Sequence, residues 1–185
     1  MGEQHKKHNR REHLNDFHLN VAGEYVYDGA LYACQSDDAK QRRSKRAVWG
    51  MAAILTVAVA AGGCIPAPGM QNCFYVLLPY LGEFLGAASV IWALAKLGMD
   101  WGMVREYNYK KSVAVLPVRT AVTAVFSLLG IVCELIFFFV NDHAGQTFFA
   151  LLYVLLKLIA LLSVLVLRAE IMQAEWDKLP KKNNF

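Results

Sequence analysis

Four long apolar runs constrain the fold of this 185-residue chain more than any other feature. A helix needs about 20 predominantly apolar residues to cross roughly 30 Å of bilayer hydrocarbon. Hydrophobic residues make up 56% of the chain and charged residues only 18%, which leaves little sequence for a soluble domain. We predict an all-α, antiparallel up-down bundle of four membrane helices within residues 47–168, at about 48–63, 74–97, 113–140 and 147–167.

The distribution of basic residues predicts how the bundle is oriented. Lys and Arg resist translocation and collect on the cytoplasmic side of membrane proteins. Three of the segments that flank the helices are rich in them: Arg42, Arg43, Lys45 and Arg46; Arg105, Lys110 and Lys111; and Arg168, Lys178, Lys181 and Lys182. The connections 64–73 and 141–146 contain none. We therefore expect a multi-pass protein of the plasma membrane with both termini in the cytoplasm.

The polar start of the chain is typical of a cytoplasmic tail. Residues 1–16 are mostly Lys, Arg, His and Asn, so we expect disorder there. Histidines are frequent in this region, but no recognised metal-ligand spacing follows them, and we predict neither a metal site nor a cofactor. The first apolar run begins too late for a cleavable secretory signal, so the first helix itself is expected to direct insertion. The basic ends do not indicate nucleic-acid binding, because positive flanks are what the membrane topology requires, and attraction to anionic lipid is an additional effect.

A Tyr-rich segment lies between this tail and the first membrane helix, within residues 17–46. Asp28-Gly29 separates two short alternating runs, 24–27 and 30–32, which is a signal for a β-hairpin; an irregular or helical linker is the alternative. Its aromatic side chains are candidate contacts for a partner: Phe17, Tyr25, Tyr27 and Tyr32. At the other end of the chain, within residues 169–185, we predict a helical extension through Lys178, followed by a polar tail.

Two cysteines bracket the first outer connection. Cys64 and Cys73 enclose two prolines and a glycine, so a disulfide between them is geometrically reasonable if the outer face is oxidising. Thiol-disulfide exchange is a remote alternative, because it needs a relay to a second cysteine pair or to a quinone, and the chain has no Cys-x-x-Cys motif.

Charged residues inside the membrane spans are the strongest candidates for a functional site, because such charges are costly in lipid. Glu83, Glu134 and Lys157 lie on three different helices at depths of roughly 9 to 15 Å from the outer ends, at 1.5 Å per residue. Together with Arg119 they form a predicted intramembrane charge network. The network could fix helix pairing, bind an exchangeable proton or cation, or dock the charged helix of a partner.

Small residues accompany these charges at helical spacing. Gly82 and Gly86 form a Gly-x-x-x-Gly face beside Glu83, and Ser127 and Gly130 share the face of Glu134. Such residues let helices approach closely. We predict that they mediate helix packing.

No catalytic motif for hydrolysis, phosphate binding or metal chemistry is present in the sequence, so an enzyme is not expected. The preferred interpretation is a non-enzymatic accessory or assembly subunit that binds another membrane protein, such as a transporter. The alternative is a small proton- or cation-coupled secondary transporter that acts as a homodimer. A transporter needs a carboxylate that exchanges its ligand, whereas an accessory subunit needs only permanent pairing.

Overall fold

The computed structural model describes residues 17–19, 23, 25–27, 29–98, 101–141 and 147–179. Its four long helices are long and apolar enough to cross a membrane, which confirms the predicted four-helix bundle: α1 (Asp38–Cys64), α3 (Phe74–Leu97), α5 (Leu116–Val140) and α6 (Thr147–Gln173). The segment predicted to be disordered, residues 1–16, lies outside the described residues.

The four helices pack as a ring. Helix α1 contacts α3 and α6, and α5 contacts the same two helices from the other side. Small and branched side chains fill one half of the interior, including Leu55, Val59 and Val164, and a larger cluster around Leu94 and Leu167 fills the other half. The outward faces of α3, α5 and α6 carry many exposed Leu, Val, Ile and Phe side chains, a composition compatible with contact with lipid.

Two helices begin or end beyond their predicted limits, because the sequence next to the membrane span remains compatible with a helix. The basic flank from Asp38 to Arg46 contains neither Gly nor Pro and consists mostly of good helix formers, so α1 starts well before residue 48. Helix α6 continues to Gln173. The predicted extension through Lys178 is wrong, because Trp176–Leu179 forms strand β5.

A three-stranded antiparallel sheet covers one end of the bundle. Strand β3 (Leu31–Cys34) lies in the centre, between β4 (Met103–Arg105) and β5. The short helix α4 (Glu106–Lys111) follows β4, and its Tyr109 ring stacks on Tyr32 with centroids 4.0 Å apart. All three strands belong to the Lys- and Arg-rich segments, so we call this the basic end.

The predicted hairpin turn at Asp28-Gly29 is wrong. Strand β2 (Tyr25–Tyr27) pairs with β1 (Phe17–Leu19), and Phe17 lies opposite Tyr27 in an antiparallel hairpin. Strand β3 instead pairs on both sides with segments distant in sequence. A central position satisfies backbone groups on both edges of β3, whereas the predicted hairpin would satisfy only one.

The opposite end of the bundle is covered by a short helix, α2 (Pro68–Asn72), and we call it the α2 end. Ala67, Pro68 and Gly69 are buried, so this connection packs into the bundle instead of looping away from it. Two prolines in the connection preset extended or helix-starting backbone angles, which favours such a tight return of the chain.

The predicted orientation can be tested with two native cysteines that lie at opposite ends, Cys64 at the α2 end and Cys34 in β3. We expect a membrane-impermeant maleimide to label a variant retaining only Cys64 in intact cells, and a variant retaining only Cys34 only after the cells are permeabilised. Labelling of both variants in detergent provides the control. The reverse pattern would contradict a cytoplasmic basic end.

Candidate functional site

An ion pair lies in the interior of the bundle. Lys157 on α6 contacts a carboxylate oxygen of Glu83 on α3, and both side chains are almost completely buried. Ser127 on α5 donates a hydrogen bond of 2.6 Å to the other carboxylate oxygen. One polar cluster thus joins three of the four helices, and it satisfies both oxygens of Glu83.

Aromatic rings complete the surroundings of the Lys157 ammonium group. Its Nζ lies 4.5 Å from the centroid of the Tyr80 ring and 5.1 Å from that of Tyr153. Gly130 on α5 faces the lysine side chain, and a Cβ at this position would be in ordinary van der Waals contact with Lys157 Cε, at 3.6 Å. Cation-π attraction adds to the ion pair and holds the lysine in place.

Glu134 is separate from this ion pair. Its side chain is completely buried, and neither carboxylate oxygen makes a hydrogen bond of normal geometry among the described residues, although the backbone N–H of Gly69 interacts with the carboxylate. The backbone of Gly69 packs against it so closely that a Cβ at position 69 would collide with Glu134 Oε2 and lie 3.1 Å from Phe137 Cδ1. Helix α2 therefore lies between the carboxylate and the α2 end.

The hydroxyl of Tyr153 is a second buried polar group without a partner in the described part of the chain. It is close enough to interact electrostatically with both Glu83 and Glu134. The ring of the same residue lies beside Lys157. Tyr153 is therefore situated between the satisfied ion pair and the unsatisfied carboxylate.

Arg119 does not join the other charged residues. Its Nη1 donates a hydrogen bond of 2.6 Å to the backbone carbonyl of Ser89 on α3. It is four helical turns from Glu134 on the same helix, toward the basic end, so it ties α5 to α3 at a different depth. The structure divides the predicted network into a buried pair, a lone carboxylate and a separate arginine.

The Gly-x-x-x-Gly face of α3 packs against α5 of the same chain. A Cβ at position 82 would collide with the Phe126 ring, and one at position 86 would lie 2.6 Å from Thr123 Oγ1. Both contact residues belong to α5. Gly82 and Gly86 therefore allow α3 and α5 to pack closely, and they do not present a free surface to another protein.

The predicted cysteine and tyrosine sites have different surroundings. Cys64 and Cys73 are both free thiols, so the candidate disulfide is not formed in the structure.

Among the candidate partner contacts, Tyr25 is 75% exposed and Tyr32 is stacked within the basic-end sheet. Tyr27 donates a hydrogen bond of 3.3 Å to Ala30 O, and the side chain of Phe17 lies outside the described residues.

Sequence reasoning did not identify Gly69 or Tyr80 as parts of this site. The Pro-rich composition of the connection around Gly69 signals a turn, but nothing in it indicates that the turn folds inward against a carboxylate. Tyr153 carries a clearer signal, because it lies one helical turn from Lys157 on the same face of α6.

Comparison with known proteins identifies no relative, since no family model, curated protein or solved structure matches the chain. Among the described residues, no group of three or more His, Cys, Asp or Glu side chains could hold a metal ion. The chemical interpretation of the site therefore depends on its own geometry.

The ion pair gives a direct prediction about stability. Lys157→Met or Glu83→Gln alone should destabilise the protein by about 3 kcal/mol, because each leaves a buried polar or charged group without its partner. The double variant should lose clearly less than the sum of the two single losses. Unfolding in mild detergent, followed by tryptophan fluorescence, measures all four forms.

Lys96→Met on the exposed surface of α3 is the matched control, since it makes the same substitution outside the core. We expect it to change the unfolding free energy by less than about 0.5 kcal/mol. Additive losses in the double variant would show that Lys157 and Glu83 do not stabilise each other.

Proposed function

We propose that this chain is a small secondary transporter in which Glu134 binds and releases a proton or a small monovalent cation. The observation that carries the proposal is the complete burial of Glu134, which has no ion-pair partner and no hydrogen bond of normal geometry among the described residues. An ionised carboxylate in such a place is very costly, so the group requires a proton or a cation as its partner.

The charges of the site favour Glu134 over Glu83 for this role. Lys157 balances the charge of Glu83 within the ion pair, and Ser127 satisfies the remaining oxygen. Glu134 has no ion-pair partner in the part of the chain that the structure describes, and the connections at its end of the bundle contain no Lys or Arg. The first carboxylate is thus suited to holding helices together, and the second to exchanging a ligand.

The nearby oxygen atoms fit a proton or an alkali cation. The phenol oxygen of Tyr153 lacks a partner in the described part of the chain and is in electrostatic range of Glu134. Carboxylate and hydroxyl oxygens are hard ligands, which suit hard cations. Glu134 supplies a single negative charge, because Lys157 is neutralised by Glu83, so we assign a monovalent ion.

A polar stripe on α5 supports movement of the ligand between the two ends. Thr120, Thr123, Ser127 and Glu134 are all buried, and they follow one another at helical spacing toward the basic end. At the α2 end, Gly69 packs directly on Glu134. Displacement of α2 would open Glu134 to that side, and rearrangement of the helices along the stripe would open it to the other.

An accessory subunit is the second candidate function, favoured by the basic-end sheet. The outer edges of β4 and β5 have no strand partner among the described residues, and such edges can accept a strand from another protein. The helix faces support this function less, because Gly82 and Gly86 are used inside the chain. Purification in mild detergent would favour this candidate if a second membrane protein accompanies the chain in fixed stoichiometry.

Flux measurements test the transporter directly. Purified protein in liposomes should dissipate an imposed proton, sodium or potassium gradient, since Glu134 would carry the ion, and a trapped dye selective for the ion under test reports the flux. Glu134→Gln keeps the size of the side chain but removes its charge, and flux should fall to that of protein-free liposomes. The variant should unfold at the same temperature as the parent or higher, because an unpaired ionisable group has been removed.

Glu175→Gln is the matched control, because Glu175 is exposed at the basic end and undergoes the same chemical change. Its flux should equal that of the parent protein. Parent protein without flux under any of the three gradients, or Glu134→Gln with full flux, would contradict the proposed role of Glu134.

A further inference from the structure

A pocket of about 270 Å³ lies at the basic end, apart from the intramembrane site. It is enclosed by the end of β3, the first turns of α1, the last turn of α6 and Trp101. The side chains that give it its chemistry are Cys34, Lys40, Gln41, Arg43, Trp101 and Glu170.

Two buried hydrogen-bond donors of the lining residues have no acceptor. Trp101 is only 4% exposed, and its indole Nε1 has no partner among the described residues. The amide Nε2 of Gln41 is in the same situation. Leaving a buried donor unpaired costs about 1 to 3 kcal/mol, so two around one pocket indicate that an acceptor belongs there.

The charges around the pocket also favour a ligand that supplies hydrogen-bond acceptors and negative charge. Lys40 and Arg43 are exposed at its rim and form no ion pair within the described part of the chain. The carboxylate of Glu170 accepts a hydrogen bond of 2.8 Å from Ser44, which ties α6 to α1. The pocket is thus lined by two cationic side chains and two unpaired hydrogen-bond donors. Its one carboxylate, that of Glu170, already accepts a hydrogen bond from Ser44.

We propose that this pocket binds a phosphate group. A phosphate supplies several acceptor oxygens for the donors and negative charge for the rim, and a guanidinium such as that of Arg43 can engage two of its oxygens at once. The volume suits a small group, since pockets for drug-sized ligands usually begin near 300 Å³.

The position of the pocket suggests two sources for the phosphate. Arg43 precedes Val48, the first completely buried residue of α1, by little more than one helical turn, so the pocket lies at the predicted level of the lipid headgroups. A phospholipid headgroup can reach this position from the membrane, and a soluble phosphate can reach it from the aqueous side. The phosphate chemistry is common to both.

General attraction between basic residues and anionic lipid would give a different pattern. Such attraction depends on the number of positive charges, so the loss of Arg42 and the loss of Arg43 would weaken it equally. Arg42 is also exposed on α1 but does not line this pocket, so it provides a matched control. The attraction would also be insensitive to the indole nitrogen of Trp101.

The test uses the full-length protein in nanodiscs. In one arm, discs of phosphatidylcholine are titrated with inorganic phosphate, with chloride at equal ionic strength as the reference. In the other arm, discs contain increasing phosphatidylglycerol. Thermal unfolding gives the ligand-dependent stabilisation in each arm, and native mass spectrometry counts the lipids that remain bound.

We expect stabilisation in at least one arm, and that arm identifies the source of the phosphate. Arg43→Gln should weaken binding about tenfold or more, in keeping with the loss of a charge-assisted hydrogen bond, while Arg42→Gln should leave it unchanged. Trp101→Phe should also weaken binding, measured as ligand-dependent stabilisation relative to the ligand-free variant, because the indole donor is removed while the lost packing against Trp176 affects both states alike.

Two results would overturn the proposal. One is the absence of stabilisation in both arms. The other is equal weakening by Arg42→Gln and Arg43→Gln, which would leave only general electrostatic attraction. Arg43 is exposed, so its replacement tests the pocket even if Trp101→Phe fails to fold.

Discussion

The contact between Lys157 and Glu83 determines how the rest of the bundle is arranged. A charge buried in a membrane protein must find its counterpart, and here the counterparts come from α6 and α3, which are not neighbours in sequence. Ser127 brings α5 to the same point, and the rings of Tyr80 and Tyr153 enclose the ammonium group. Apolar packing between helices has little directional preference, so this cluster fixes their rotation and relative depth.

Because Lys157 pairs with Glu83, Glu134 has no ion-pair partner among the described residues. The two glutamates are alike in sequence terms, since both are single acidic residues within long apolar runs. Their environments differ because one faces a lysine and a serine, and the other faces the backbone of Gly69. A buried carboxylate without an ion-pair partner is costly, and this cost is the basis of the exchange role that we propose for Glu134.

The sequence predicted the bundle well because helices in lipid must satisfy their own backbone, so length and hydropathy locate them. It also identified Glu83, Glu134 and Lys157 as residues of interest. It did not reveal which glutamate meets the lysine, since that depends on helix rotation. The basic-end sheet was missed because β3, β4 and β5 are very short and far apart in the chain. Asp28-Gly29 carried a strong local turn signal, but the distant pairing of β3 outweighed it.

The order of the strands along the chain has a consequence for biosynthesis. Strand β3 precedes the first membrane helix, β4 follows the second, and β5 follows the last. During translation, β3 is therefore made first. It can pair with β4 once the second membrane helix has been synthesised, and with β5 only after α6 has been synthesised. The sheet can therefore be completed only after the last helix of the chain has been made. Until then, one edge of the central strand β3 lacks the backbone partner that it has in the finished protein.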